Sequence, residues 1–114
     1  MPRDDAALLD ILKAAQLAMR FIAGMDETAF LQDPKTQSAV LHQLLLLGEA
    51  VKRLSEEFRA RHPAIPWRTI AGMRDKLIHE YHDVALDEVW RTVTTDMPQL
   101  IPEMKSLIPR EESQ

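Results

Sequence analysis

The feature that most constrains this chain is an apolar pattern with helical spacing that runs from Asp33 to Phe58. Apolar side chains recur there every three or four residues, at Val40, Leu44, Leu47, Val51, Leu54 and Phe58. This is the period of one face of an α-helix. Asp33 and Pro34 have the residue types of an N-cap and a first helical position. Two prolines in "HPAIP" end the pattern, so we predict one long helix from Pro34 to about Arg61.

The other long segments show the same spacing, and none alternates like a strand. We therefore predict an all-α fold, a small up-and-down bundle of four to five helices. Asp4 or Asp5 is expected to cap the first helix, and Gly24 to end it. The other expected helices are a short turn at Thr28 to Leu31, one from Pro66 to about Tyr81, and one from Leu86 that kinks or breaks near Met97.

The length of 114 residues fits one domain, which we place at residues 1 to 108, followed by a flexible tail from 109 to 114. The chain has no cysteine, which excludes disulfides and thiolate metal sites. No apolar run approaches the roughly 18 residues of a membrane span. We expect a cytoplasmic protein that does not span a membrane.

Four consecutive leucines, Leu44 to Leu47, place apolar side chains on every side of the long helix. More than one face of this helix must therefore be covered. A further helix of the same chain could do so, but a second copy is the better explanation, because symmetric dimers are the commonest such assembly. We predict a homodimer.

Charge is unevenly distributed along this acidic chain, whose formal net charge is −4. The segment from Lys52 to Lys76 carries seven basic and three acidic side chains, whereas the segments on either side are acidic. The basic segment is either a solvated helix face or a local phosphate-binding patch. A DNA-binding protein is disfavoured, because no helix-turn-helix with a basic recognition helix stands out.

The stretch "MRDKLIHEYHD", residues 73 to 83, is the densest group of chemically active side chains. On an ideal helix His79 falls away from the apolar stripe, and Tyr81 points in nearly the same direction as Arg74. Arg74 and His79 diverge by about 140°, so a straight helix does not bring their ends together. Spacing alone leaves open whether they form one site or an exposed surface.

Two chemistries fit this stretch. The first is a metal site, for which the candidate ligands are Asp75, His79, His82 or Asp83, and Glu49 or His42 from the long helix. No HExxH or CxxC pattern supports it, and we predict no metal and no other cofactor. The second is metal-independent phosphodiester cleavage, in which His79 moves protons and Arg74 stabilises the charge that grows on the phosphate.

The motif "RDKLIHEY" resembles the R-x4-6-H motif of HEPN domains, in the RDxxxHxY form of HepT-like toxins. The segments "LLLLGEAVKRLSEEF", "HPAIPWRTIAGMRDKLIHEYHDVALDEVW" and "TDMPQLIPEM" resemble the same family over residues 37 to 104. The ordered GEAVKRLS, IPWR, RDxxxHxY and VW elements make this resemblance specific. It implies an all-helical domain that dimerises around a shared cleft and cuts RNA without a metal.

The resemblance also implies residue roles. Arg74 and His79 match the ends of the motif and Asp75 the polar residue between them, so these three are the expected catalytic residues. Independently of the resemblance, Arg68 and Lys76 of the basic segment are the expected RNA-binding residues. Tyr81 matches the tyrosine onto which a minimal nucleotidyltransferase antitoxin transfers AMP, as in a type VII-like toxin–antitoxin system. Added negative charge beside the cleft would repel RNA phosphates.

One departure concerns the last helix. Similar proteins often carry an acidic residue where this chain has Ala85, which leaves Asp83 as the expected cap. The competing interpretation of the whole chain is a non-catalytic helical module that binds a nucleotidyltransferase, with Arg74 and His79 as interface residues. The complete set of Arg74, Asp75, His79 and Tyr81 favours the enzyme.

Overall fold

The protein is helical throughout the residues that the computed structural model describes, 2–79 and 83–109. The helices are α1 (Pro2–Phe21), α2 (Glu27–Leu31), α3 (Pro34–Arg53), α4 (Glu56–Arg61), α5 (Trp67–His79), α6 (Leu86–Arg91) and α7 (Met97–Leu107), with a π-helical segment (Thr92–Asp96) joining the last two. These residues include no strand, which confirms the all-α prediction. The predicted end of α5 at Tyr81 lies outside the described residues. So does the predicted tail from residue 110 onward.

The core forms where α1 and α3 pack along each other, and α7 covers another side of α1. The predicted apolar stripe of α3 is buried throughout, from Val40 to Leu54, and continues into Phe58 of α4. Helix α5 packs mainly on α3, while α6 reaches back to α2, where the Trp90 and Phe30 rings lie 5.4 Å apart. The helix with the candidate motif is therefore supported chiefly by one neighbour.

The predicted long helix from Pro34 to Arg61 is wrong in its second half. Asp33 does cap α3, accepting from the Thr36 backbone N–H at 3.3 Å, but α3 ends at Arg53. Leu54 is extended, with ψ of 141°, and Ser55 then caps the separate helix α4 by accepting from the Phe58 backbone N–H. A serine that offers its own cap can end one helix and start another.

Asp4 has a different role from the predicted cap of α1, which already begins at Pro2. Its carboxylate is 4% exposed and accepts from the backbone N–H and the hydroxyl of Ser55, at 2.8 and 2.9 Å. The backbone hydrogen bond in particular holds the pKa of Asp4 below its usual range, although burial acts in the opposite direction. Asp4 therefore fixes the break between α3 and α4 from 51 residues away.

Where the sequence predicts a kink or break near Met97, the structure has a π-helical segment that keeps α6 and α7 continuous, so the helix is irregular there but not broken. Pro98 has no N–H to donate and its ring crowds the preceding turn, which favours a wider turn there. Thr94 also donates its hydroxyl to the Trp90 carbonyl at 2.8 Å. Ala85, not Asp83, is the N-cap residue of α6, and it provides no side-chain cap.

The four leucines of α3 divide between core and surface. Leu44 and Leu47 are buried and Leu45 is half-buried, whereas Leu46 is 43% exposed. One face of α3 is thus left uncovered within the chain, as the sequence predicts. Among the described residues, no helix has both the length and the apolar character required to cross a membrane.

Candidate active site

Arg74 lies where α5 crosses α3 at very short range. The crossing point on α3 is Gly48, and a Cβ atom there would overlap Arg74 Cβ and lie 2.9 Å from Arg74 Cγ. Only glycine fits without moving one of the helices. The absence of a side chain at Gly48 therefore sets where the Arg74 guanidinium emerges, and its side chain remains only 24% exposed.

Four side chains of alternating charge surround this crossing. Arg74 donates to Glu49 on α3 at 3.2 Å and to the adjacent Asp75 at 3.1 Å. Lys52, one turn after Gly48, donates to the same Asp75 oxygen at 2.7 Å. We call Glu49, Lys52, Arg74 and Asp75 the charge cluster. Its bonds fix the guanidinium from two sides while the cluster remains open to solvent.

The charge cluster stabilises the ionised forms of its members. Hydrogen bonds from Lys52 and then Arg74 lower the pKa of the Asp75 carboxyl, and hydrogen bonds to Asp75 and Glu49 raise the pKa of Arg74. At neutral pH Asp75 is therefore a carboxylate that accepts hydrogen bonds and has no proton to donate. Arg74 offers a permanent positive charge with a fixed orientation.

His79, the other predicted catalytic residue, is exposed at the last residue of α5. No hydrogen bond or ion pair joins it to Arg74 within the described part of the chain. Both residues lie within α5, where ideal helical geometry separates positions five residues apart by about 140°. One copy of the chain thus supplies both residues without bringing them together. Tyr81 and His82 lie outside the described residues.

The two predicted RNA-binding residues occupy different surroundings. Lys76 is paired with Glu88 of α6, and 3.4 Å separates the Nζ and Oε1 atoms. The pair lies beside a groove between α5 and the continuous helix formed by α6, the π-helical segment and α7. Arg68 is exposed in the first turn of α5. It lies seven and eleven residues before Asp75 and His79, spacings that place all three on one face of the helix.

The alternative metal site receives no geometric support from the described residues. Among them, no group of three His, Cys, Asp or Glu side chains is arranged to hold an ion. One of the two Asp75 carboxylate oxygens, Oδ1, is already bonded to Lys52 and Arg74. That the reaction needs no metal remains a prediction.

The sequence did not predict that Gly48, Glu49 and Lys52 take part in the site. The sequence suggests Glu49 only as a metal ligand, and Gly48 only as part of a segment that resembles the family. The available signals were a glycine inside a helix, which is unfavourable without a packing reason, and oppositely charged residues three apart on one helix face. Neither signal predicts that these residues contact Arg74, because the contact depends on where α5 crosses α3.

Comparison with known proteins gives relatives that align along most of the chain. A Thermococcus cleftensis protein named as a probable ribonuclease HepT is 45% identical over 93 residues, covering 82% of this chain and 84% of its own length. Proteins named as candidate RNases in Caldanaerobacter subterraneus and Methanocaldococcus jannaschii are 39% and 40% identical over 101 and 110 residues. These alignments cover 89% and 95% of this chain, and 90% and 91% of the relatives. No solved structure is significantly similar to the chain.

A family model described as "Ribonuclease HepT-like" matches residues 11–107. This range includes both helices of the crossing, all four members of the charge cluster and His79. The resemblance found in the motif "RDKLIHEY" is thus confirmed over most of the chain. The protein whose α3 and α5 build this crossing belongs to the HepT-like ribonuclease family.

Proposed function

We propose that this protein is the toxin of a toxin–antitoxin pair and that it cleaves RNA without a metal ion. The observation that carries the proposal is the Arg74 guanidinium, fixed by Gly48 and the charge cluster, on the same helix as the exposed His79. Membership in a family described as ribonucleases supports it. So do the relatives named as RNases.

In the proposed reaction His79 takes the proton of an RNA 2′-hydroxyl. The 2′-oxygen forms a bond to the adjacent phosphorus as the bond to the 5′-oxygen breaks. The leaving oxygen then receives a proton from the histidine, so that no proton is gained or lost. Arg74 stabilises the negative charge on the phosphate oxygens during this exchange. Asp75 is assigned a positioning role, because it binds Arg74 and Lys52 as a carboxylate.

A second copy of the chain is part of the proposal, because one straight helix separates Arg74 from His79 by about 140°. Ile78, one turn after Arg74, is 48% exposed, and Leu46, three residues before Glu49, is 43% exposed. These two apolar side chains flank the charge cluster and need cover. We propose that a symmetric dimer covers them and that Arg74 and His79 of the two copies meet in the cleft.

Control by a minimal nucleotidyltransferase follows from the family resemblance. Transfer of AMP from ATP to the Tyr81 hydroxyl, with release of pyrophosphate and of the hydroxyl proton, would add a bulky anionic group two residues after His79. The negative charge would repel RNA phosphates, and the bulk would block the cleft. We propose this modification as the way in which toxicity is switched off, in the cytoplasm of the cell that makes both proteins.

The test is RNA cleavage by the unmodified protein in EDTA, beside the variants Arg74→Ala and His79→Ala. Arg20→Ala is a matched control, since Arg20 is an exposed arginine at the end of α1. We expect wild type and the control to cleave, and each site variant to lose on the order of 100-fold or more. Folding and dimerisation of every variant are measured in parallel.

Two results would contradict the proposal. Activity that disappears in EDTA and returns with a divalent ion would establish a metal-dependent enzyme. Equal activity in all variants, or none in any across several classes of RNA, would favour the non-catalytic module that binds a nucleotidyltransferase.

A further inference from the structure

A second basic feature lies at the corner between α4 and α5. A groove of about 520 Å³ is lined there by Arg59 of α4 and Arg68 of α5, next to the apolar residues Ile65 and Trp67. Within the described residues, neither arginine has a carboxylate within ion-pair distance. Both guanidinium groups are therefore available to an anion.

These two arginines differ from most of the basic segment between residues 52 and 76. Four of its seven basic side chains are held by carboxylates, in the pairs Lys52 with Asp75, Arg53 with Asp10, Arg74 with Glu49 and Asp75, and Lys76 with Glu88. The predicted phosphate-binding patch is thus largely neutralised where it surrounds the charge cluster. The basic side chains that remain without a carboxylate partner include Arg59 and Arg68 at the corner.

The Arg59 side chain carries a buried nitrogen without an acceptor. Its Nε atom has less than 1 Å² of exposed surface and no hydrogen-bond partner, and it is the only such side-chain atom among the described residues. A buried donor that is left unpaired is unfavourable, and such groups are uncommon in native proteins. The Nε atom is closed to solvent in this conformation, so an anion in the groove would gain it as a donor only if the Arg59 side chain turns.

The corner is aligned with the candidate active site. Arg68, Asp75 and His79 share one face of α5, and the axial distance from Arg68 to His79 is about 16 Å. That distance corresponds to about five nucleotide steps at a stacked strand's rise of about 3.4 Å. A strand cut beside His79 can therefore extend along α5 to Arg68 and Arg59.

We propose that Arg59 and Arg68 form a subsite for a backbone phosphate of single-stranded RNA, a few nucleotides from the bond that is cut. The subsite rests on the proposed ribonuclease function and adds to it a requirement for substrate length. Glu56 lines the same groove, and its negative charge opposes the phosphate. The subsite therefore guides the strand with moderate strength instead of holding it tightly.

The test measures binding of a single-stranded RNA of about 12 nucleotides across a range of salt concentrations. Every protein carries His79→Ala, so that the RNA stays intact. In this background the variant Arg59→Ala/Arg68→Ala is compared with Arg20→Ala. We expect the double variant to bind on the order of tenfold more weakly than the parent. Its slope of log Kd against log salt should become shallower by about 0.7, the value for one phosphate contact on a single strand.

RNA length and Glu56 provide two further measurements. With an RNA of about four nucleotides, too short to reach the corner, the double variant should bind like its parent. With the longer RNA, Glu56→Gln in the same background should bind more tightly, because a repulsive charge is removed while the side chain keeps its size.

The outcomes separate this proposal from the function on which it rests. If wild type cleaves RNA and the double variant binds RNA like the Arg20→Ala control, the subsite is wrong and the ribonuclease stands. The two arginines would then be assigned to another ligand, such as an acidic segment of a protein partner. If wild type neither binds nor cleaves RNA, both proposals fail.

Discussion

The two sides of α5 are built in different ways. On one side, the helix lies against α3 at Gly48, where Arg74 leaves no room for a Cβ atom, and four bonded charges surround the crossing. On the other side, it faces the continuous helix of α6, the π-helical segment and α7 across an open groove of about 560 Å³. Lys76 and Glu88 form a single ion pair beside this groove. The candidate catalytic arginine lies on the tightly packed side. Geometry is thus fixed where the proposed chemistry requires it and left loose elsewhere.

The strongest test of this contrast compares two glycines. Gly48→Ala places a methyl group into the Arg74 side chain, whereas Gly72→Ala places one into open space on the groove side. We expect Gly48→Ala to lower the free energy of unfolding by about 1–3 kcal/mol through overpacking. RNA cleavage should fall on the order of 100-fold, because Arg74 is displaced.

Gly72→Ala is the matched control for that substitution. Gly72 has no positive φ and is exposed within α5. We expect it to raise the free energy of unfolding by about 0.5–1 kcal/mol, since alanine is favoured over glycine inside a helix. Denaturant unfolding measures both variants. Equal effects at the two positions would contradict the contrast between the two sides of α5.

A smaller effect concerns the pH dependence of the charge cluster. Because Lys52 and Arg74 lower the pKa of Asp75, the folded state gains stability from its carboxylate above the pKa of the unfolded chain. That gain disappears as the pH falls through the lower pKa of the folded state, below about 3.9. We expect wild type to have a higher Tm than Asp75→Asn at neutral pH, and the difference to shrink as the pH falls below about 3.9.

Thermal unfolding of the two proteins at a series of pH values measures this difference. Subtracting one Tm from the other also removes the contribution of Asp4, whose lowered pKa is present in both proteins. A Tm difference that stays constant over the whole range would show that the ionised carboxylate of Asp75 contributes nothing to stability.

The smallest effect is expected from the groove side. Glu88→Gln removes the partner of Lys76 in a pair whose side chains are 54% and 58% exposed. We expect the free energy of unfolding to change by less than about 0.5 kcal/mol, because solvent screens such pairs. A loss of stability as large as that of Gly48→Ala would mean that the two sides of α5 are equally constrained.

Local sequence signals predicted the features that local chemistry determines. Asp33 and Pro34 marked the start of α3, and Pro98 marked the irregular turn before α7, because a cap and a missing N–H act within one turn. The end of α3 was missed because it depends on Asp4, which is 51 residues away from Ser55. Contacts of that separation are not encoded in any window of the sequence.

The same distinction applies to the candidate site. Arg74, Asp75 and His79 form one short motif, and the sequence indicated them directly. Glu49 and Lys52 join Arg74 and Asp75 only because α5 crosses α3 at Gly48. The motif predicts the candidate catalytic side chains, and that assignment stays a prediction. The crossing that holds them in place required the structure.

The contact between Asp4 and Ser55 restricts movement at the junction between α3 and α4. An extended residue between two helices, like Leu54, would ordinarily act as a hinge. Here Asp4 accepts two hydrogen bonds from Ser55, and the Ser55 hydroxyl accepts one from the Phe58 backbone N–H. These bonds tie the junction to α1 on one side and to α4 on the other. The amino-terminal turn of α1 therefore helps to hold α4 in place. Because Arg59 lies on α4, the same contact helps to set its distance from α5.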